Sequence, residues 1–266
     1  MYRPAIQRLT EGRGLLTLIL AATLLWSVFS VEWGADLLQR GGFTFVAEVL
    51  AALFSLDLSP DFLRIVFKAA WTTVTYAVAG ITLALAIGLP LGAIASGTLT
   101  RSPVARWVSV GGLRLLLAFM RAIHELIWAW LFVIAIGLSP MAAVLALAIP
   151  YGGILGRIFA ELLNDVPKQP LRALRSSGAS EMQVFFYGRQ AAAFPDMLSY
   201  AFNRFECAIR SAAVFSFVGI AGLGFQIQLS LDDLLYNQVW TLLIALVILV
   251  VLVDLWSGLV RRSLTG

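Results

Sequence analysis

Four arginines, two glutamates and the sole histidine stand inside two long apolar runs of this sequence. Arg114, Arg121, His124 and Glu125 share one run; Arg204, Glu206 and Arg210 share the other. An ionised side chain at a bilayer centre costs about 2.5–3.5 kcal/mol on insertion scales, so such groups face protein or water and often mark a pathway. Arg121 and Glu125 are spaced i,i+4, as are Glu206 and Arg210, which puts each pair on one helix face. Internal neutralisation would make these pairs struts of a bundle and nothing more. Yet Arg114, Arg204 and whichever of Arg121 and Arg210 is less tightly paired exceed the carboxylates available. Guanidinium forks match the oxygens of a small oxyanion in bidentate fashion. The expectation is a weakly cationic, water-filled pathway drawn from Arg114, Arg121, Glu125, Arg204, Glu206 and Arg210, weak because a path that binds too well stalls release.

Other chemistries fail on spacing. A His-Glu-x-x-His zinc motif needs a second histidine where Trp128 stands. One histidine and one cysteine, Cys207, exclude a His-rich or Cys-based metal centre and an intrachain disulfide. Gly219, Gly222 and Gly224 follow no strand, so they read as helix breakers and not as a dinucleotide loop. A G-x-x-x-x-G-K-S/T loop is missing, because the only lysines, Lys68 and Lys168, follow Phe67 and Pro167. No cofactor is expected in this chain; any ATP and Mg must be held by another subunit.

The elements that position these residues are set by composition. The chain has 266 residues, 60% of them hydrophobic and 13% charged, with a mean hydropathy of +0.89. Several windows exceed the length that spans a bilayer, and they are continuous where a β-barrel would alternate. The fold class is therefore all-α, a polytopic helical membrane protein with about six transmembrane helices, near 14–31, 67–97, 104–137, 140–163, 197–224 and 238–260. The run at 14–31 reads as a retained span and not a cleaved signal. Lys and Arg number 19 against 15 Asp and Glu, but they are scattered between spans, which argues topology and excludes a nucleic-acid patch.

Orientation follows from that scatter. With the N-terminus inside, Arg3, Arg8, Arg13, Arg101, Arg106, Arg157, Lys168, Arg172, Arg175, Arg189, Arg261 and Arg262 are cytosolic. The other side keeps Arg40, Arg64 and Lys68, with Glu32, Asp36, Glu48, Asp57, Asp61, Asp232 and Asp233. This asymmetry obeys the positive-inside rule and puts both termini in the cytosol; Trp33, Trp71 and Trp240 mark the outer boundary and Trp107 and Trp256 the inner one. Residues 1–62 read as a first span plus an amphipathic outer-face segment at 35–62, carrying Phe43, Phe45, Val46, Val49 and Leu50; residues 63–262 form the core. Gly88 and Gly92, and Gly152 and Gly156, each make a G-x-x-x-G, read first as close packing within one subunit and second as a dimer seam.

A polar stretch at 165–195 separates the fourth and fifth spans. Pro170 opens a short helix there, and Gly178 ends it in a left-handed conformation. Ser180 and Gln183 make a capping box for a second helix with Met182, Phe185 and Phe186 on its apolar face. The product is a cytosolic hairpin of small and apolar residues rimmed by arginines, shaped to plug into a partner.

At this point the chain resembles the permease subunits of binding-protein-dependent ABC importers, whose cytoplasmic loop carries Glu-Ala-Ala, three residues, then Gly. The matching positions read Arg172-Ala173-Leu174-Arg175-Ser176-Ser177-Gly178, with Arg172 where the family favours Glu and Phe194-Pro195 as the nearest equivalent of a downstream Leu-Pro. Arg121-Ala-Ile-His-Glu-Leu-Ile-Trp128, Leu174-Arg-Ser-Ser-Gly-Ala-Ser180, and Arg204-Phe-Glu-Cys-Ala-Ile-Arg-Ser211 running on to Val218-Gly-Ile-Ala-Gly-Leu-Gly224 are similar to the phosphonate-type members. The resemblance implies a type I ABC importer permease fold in the bacterial inner membrane. It implies Arg172, Ala173, Leu174, Ser177, Gly178 and Ala179 as ATPase-coupling residues. It also implies a substrate among phosphonate, phosphite and hypophosphite. The partners implied are ABC ATPase subunits, a second permease copy or homologue, a periplasmic substrate-binding protein and membrane lipid. The chain itself is then a transport subunit and not an enzyme. A related importer for another small solute such as methionine stays open. So does an ion-coupled secondary transporter, although no internal repeat of the expected kind is evident.

Overall fold

A computed structural model describes residues 12–30, 42–98 and 103–265. The topology markers Arg3, Arg8, Glu32, Trp33, Asp36, Arg40 and Arg101 lie outside the described residues. Among the described residues every regular element is helical. Two compact units result, Met1–Ala51 and Ala52–Gly266. The first holds α1 (Gly12–Ser30) and α2 (Gly42–Ala51), whose apolar side chains, Leu16, Leu24, Trp26 and Phe45 among them, are exposed.

The second unit opens with α3 (Pro60–Ala95), started by Ser59-Pro60, where proline's missing N–H goes unused anyway, and by Asp61 in the first turn. Next come α4 (Pro103–Ala122) and α5 (Glu125–Ile136). The expected single span at 104–137 is thus two helices, bent by 86°. The break falls at Ile123 and His124. The His124 backbone is extended, and its Nδ1 accepts from the Leu126 N–H at 3.2 Å, so it caps α5 as Ser or Asp would. Trp128 Nε1 donates to the Met120 carbonyl at 3.3 Å, satisfying one of the acceptors that α4 leaves open.

α6 (Pro140–Asp165) starts on a Ser139 cap and is the centre of the bundle. Of its most apolar window 67% is buried, against 6% in the last helix. Its glycines explain how. A Cβ at Gly92 would come within 2.7 Å of the Gly156 carbonyl, and one at Gly88 within 3.0 Å of Leu155 Cβ. A Cβ at Gly153 would meet Met120 Cβ at 2.8 Å. The two G-x-x-x-G pairs therefore face each other across α3 and α6, packing within one subunit, and α4 lies against the next stripe. Ala77, Ala84, Ala143, Ala146, Leu147, Leu155 and Phe159 form the core around this crossing.

α7 (Lys168–Ser176) and α8 (Glu181–Gln183) make the hairpin. A π-helical stretch, Val184–Gln190, then runs without interruption into α9 (Ala191–Val214), with Pro195 inside it. α9 begins before the expected 197 and ends before 224, in a 3-10 turn at Phe215–Val218. Gly219, with φ of +79°, turns the chain toward α10 (Leu223–Asp232), a short helix not foreseen in the sequence. Buried Thr73 Oγ1 accepts from the Leu223 N–H at 3.0 Å and pins α10 to α3. α11 (Tyr236–Thr265) closes the fold.

Among the described residues three helices are long and apolar enough to cross a membrane, Pro60–Ala95, Pro140–Asp165 and Tyr236–Ser263, or four counting the bent pair. Each of the six expected runs holds helix among the described residues, but the third is broken at His124 and the fifth stops before Gly219. α9 falls short on hydropathy because it carries Asp196, Arg204, Glu206 and Arg210.

Candidate functional site

The six charges expected along one pathway separate into three places. Glu125 and Arg210 share a cavity of about 170 Å³, lined also by His124, Leu126, Ser211, Val214 and Phe215. Ser211 donates to Glu125 Oε1 at 2.6 Å, and Tyr151 stands 3.0 Å from the same hydroxyl. Because the Ser211 proton is used on Glu125, Tyr151 is the donor to Ser211. A polar chain thus joins α6, α9 and the first turn of α5. His124 Nε2 lies 3.8 Å from Glu125 Oε2. With Nδ1 engaged as the cap acceptor, a neutral His124 carries its proton on the nitrogen that faces this carboxylate.

The second place is the second half of α9. Glu206 forms an ion pair with Arg261 of α11 at 3.0 Å and not with Arg210. Arg210 donates to Cys207 Sγ at 3.4 Å and is otherwise exposed to the cavity. Arg204 donates to Tyr200 Oη at 3.0 Å and stacks 4.9 Å above that ring. The pair that the i,i+4 spacing of Glu206 and Arg210 suggested does not form, since α11 supplies Glu206 with a cation from outside the helix and Arg210 faces Glu125.

The third place holds Arg114 and Arg121, which line a cavity of about 320 Å³ with Arg157 and Glu161. The expected Arg121–Glu125 pair does not form, because the bend at His124 turns the two residues onto different helices.

The hairpin is a distinct site. Leu171 is buried, and Leu174 and Leu171 fill the space left at Gly188, where a Cβ would lie 2.7 and 2.8 Å from them. α7 thereby lies flat on the π-helical stretch. The helix opens at Lys168 and not at Pro170. Gly178, at φ of +87°, reverses the chain, and the Ala179 N–H reaches the Leu174 carbonyl at 3.2 Å. The capping box is complete: Ser180 Oγ accepts from the Gln183 N–H at 3.3 Å, and Gln183 Oε1 from the Ser180 N–H at 2.8 Å. Arg175 grips Glu181 with two bonds, of 3.1 and 3.0 Å, which raises its already high pKa. Arg189 Nη1 donates to the Leu163 carbonyl at 2.7 Å in the last turn of α6, where a cation meets the helix dipole. Burial pulls the Arg189 pKa down.

Arg172, Ala173, Ser177 and Gly178 are left exposed on one rim, while Leu174 and Ala179 are half-buried. Of the expected apolar face only Phe185 is buried; Met182 and Phe186 project outward beside Tyr187. Tyr151, Thr73 and the role of Ser211 escaped the sequence reading because a lone hydroxyl inside an apolar run carries no periodic or charge signal.

Residues 49–266 match the family model described as binding-protein-dependent transport system inner membrane component. The phosphite transport system permease protein PtxC of Stutzerimonas stutzeri is 31% identical over 80% of this chain and 77% of its own length. The phosphate-import permease protein PhnE of Mycolicibacterium smegmatis is 30% identical over 72% of this chain and 35% of its own length. In fold, a chain of the inward-facing MetNI methionine ABC transporter superposes with a TM-score of 0.69 at 23% identity, covering 79% of this chain and all of that one. A multi-pass helical bundle with an exposed polar hairpin, matched over most of its length, belongs to the binding-protein-dependent transport system inner membrane component family, the permeases of ABC importers.

Proposed function

We propose that this chain is the membrane-spanning subunit of an ATP-driven importer carrying a small phosphorus oxyanion, phosphite or a phosphonate, across the bacterial inner membrane. The likeness to a phosphite permease over four fifths of the chain carries this reading. With no nucleotide loop of its own, the chain relies on ABC ATPase subunits to bind ATP and Mg. They dock on the hairpin, where Arg172, Ala173, Ser177, Gly178 and the half-buried Leu174 and Ala179 make the contact. Both termini are cytosolic on this reading. A periplasmic substrate-binding protein then meets the opposite end, near Asp57, Asp232 and Asp233. The outward apolar face of α11 suits a second permease copy or homologue and lipid.

The cavity of Glu125 and Arg210 is the part of the pathway that meets the anion. Arg210 supplies the cationic fork. Glu125, held by Ser211 and Tyr151, offsets that charge so the anion is attracted but not retained.

The test is ATP-dependent uptake into proteoliposomes holding this chain, its ATPase and its binding protein. Phosphite or methylphosphonate uptake is expected, falling with Arg210→Ala while the complex still assembles. Methionine uptake in place of either would overturn the substrate assignment, and normal uptake by the variant would remove Arg210 from the path.

A further inference from the structure

We infer that the cavity between α4 and α6 binds a phosphoryl oxyanion at a site separate from the Glu125–Arg210 pathway. Three guanidinium groups, Arg114, Arg121 and Arg157, face it against one carboxylate, Glu161. That carboxylate is already taken by Arg157, at 2.8 Å. Arg114 and Arg121 have no acidic partner within 4.0 Å among the described residues. They stand two turns apart on one face of α4, about 10 Å along its axis. Two cations of this kind inside a membrane helix call for an anion from elsewhere.

The site is separate because α6 stands between it and the pathway. Tyr151 points to Ser211 of α9. Arg157 follows six residues later, about 240° further round the helix. On that side Gly153 and Gly156 abut Met120 and Leu117 of α4.

The chemistry of the walls names the ligand class. Paired guanidinium forks bind phosphoryl oxygens bidentately. Ala95, Leu117 and Ala160 supply an apolar lining, and the neighbouring Leu115, Leu116 and Phe119 are exposed beside it. Ala95 ends α3, and Glu161 is one turn from the end of α6. The cavity therefore runs from the middle of α6, where Arg121 abuts Gly153, to the hairpin end of the bundle, which the proposed topology puts at the depth of lipid headgroups. The phosphodiester of an acidic lipid and a free phosphorus oxyanion share this chemistry, and the experiment separates them.

The purified complex in detergent is offered phosphatidylglycerol, phosphatidylcholine or inorganic phosphite, and bound ligand is counted by native mass spectrometry. Phosphatidylglycerol retained over phosphatidylcholine, and not displaced by phosphite, identifies a lipid headgroup. Phosphite bound without lipid preference identifies the free anion. In either case R114Q/R121Q should weaken binding roughly thirtyfold, two interfacial cations at their usual worth. E161Q, which removes the sole carboxylate, should tighten it. This opposite response cannot come from misfolding. No binding, equal retention of both lipids and of phosphite, or a preference that R114Q/R121Q does not move, overturns the inference. No arm uses ATP, the binding protein or uptake, so failure here leaves the transport reading untouched.

Discussion

Glu206 of α9 meets Arg261 of α11 at 3.0 Å, so the carboxylate inside α9 is balanced by a residue near the end of the chain. Both side chains are mostly buried, at 13% and 27% exposure. Removing one partner strands the other charge. Glu206→Gln and Arg261→Gln should each destabilise by about 2 kcal/mol, and the double variant by clearly less than their sum. Thermal unfolding of the four proteins in detergent measures the coupling. Full additivity would mean that the pair contributes nothing.

Ser211 links three helices through one hydroxyl. Ser211→Ala deprives Glu125 of its 2.6 Å donor and should cost about 1–3 kcal/mol. Ser211→Thr, which keeps the hydroxyl, should restore most of the stability and the uptake. Equal behaviour of the two variants would show that packing, not the bond, matters at this position.

Gly92 and Gly111 make a matched comparison. A Cβ at Gly92 collides with the Gly156 carbonyl, whereas nothing lies within 4 Å of one at Gly111. Gly92→Ala should destabilise by about 1–3 kcal/mol, and Gly111→Ala should be neutral or gain up to about 1 kcal/mol of helix propensity. Melting temperatures decide between them.

Arg189 anchors the hairpin to the end of α6. Arg189→Met should loosen it at a cost of about 1.5–3 kcal/mol, the worth of a charged hydrogen bond. Faster proteolysis within 168–190, with uptake lost before stability, is the expected signature. Arg189→Lys should recover part of it.

Asp57 supplies the pH dependence. The Ser59 N–H first, and Gln238 less strongly, hold its carboxyl below the ordinary value of 3.8. A depressed folded-state pKa means stability present above that ordinary value and lost as pH falls through the folded one. Acidification below about pH 4 should therefore loosen the tie between the start of α3 and the start of α11. Asp57→Asn should flatten this part of the acid limb, as read by unfolding midpoints against pH.

Much of this molecule was legible in the residues alone. Long apolar runs specify membrane helices whatever they pack against, because every backbone polar group in lipid must be satisfied within its own helix. Gly178, Ser180 and Gln183 specify the turn of the hairpin by local geometry, and each adopts the expected conformation. The paired glycines likewise announced a close crossing. Tertiary structure decided what spacing cannot. It broke the third span at His124, a residue type that caps helices too rarely to be read as a stop. It gave Glu206 to Arg261 across 55 positions of sequence and divided six charges among three sites. Local propensity acts through neighbours within a turn, so the chain could state it alone. The partner of a buried charge is chosen by which helix arrives beside it, and only the packed bundle settles that.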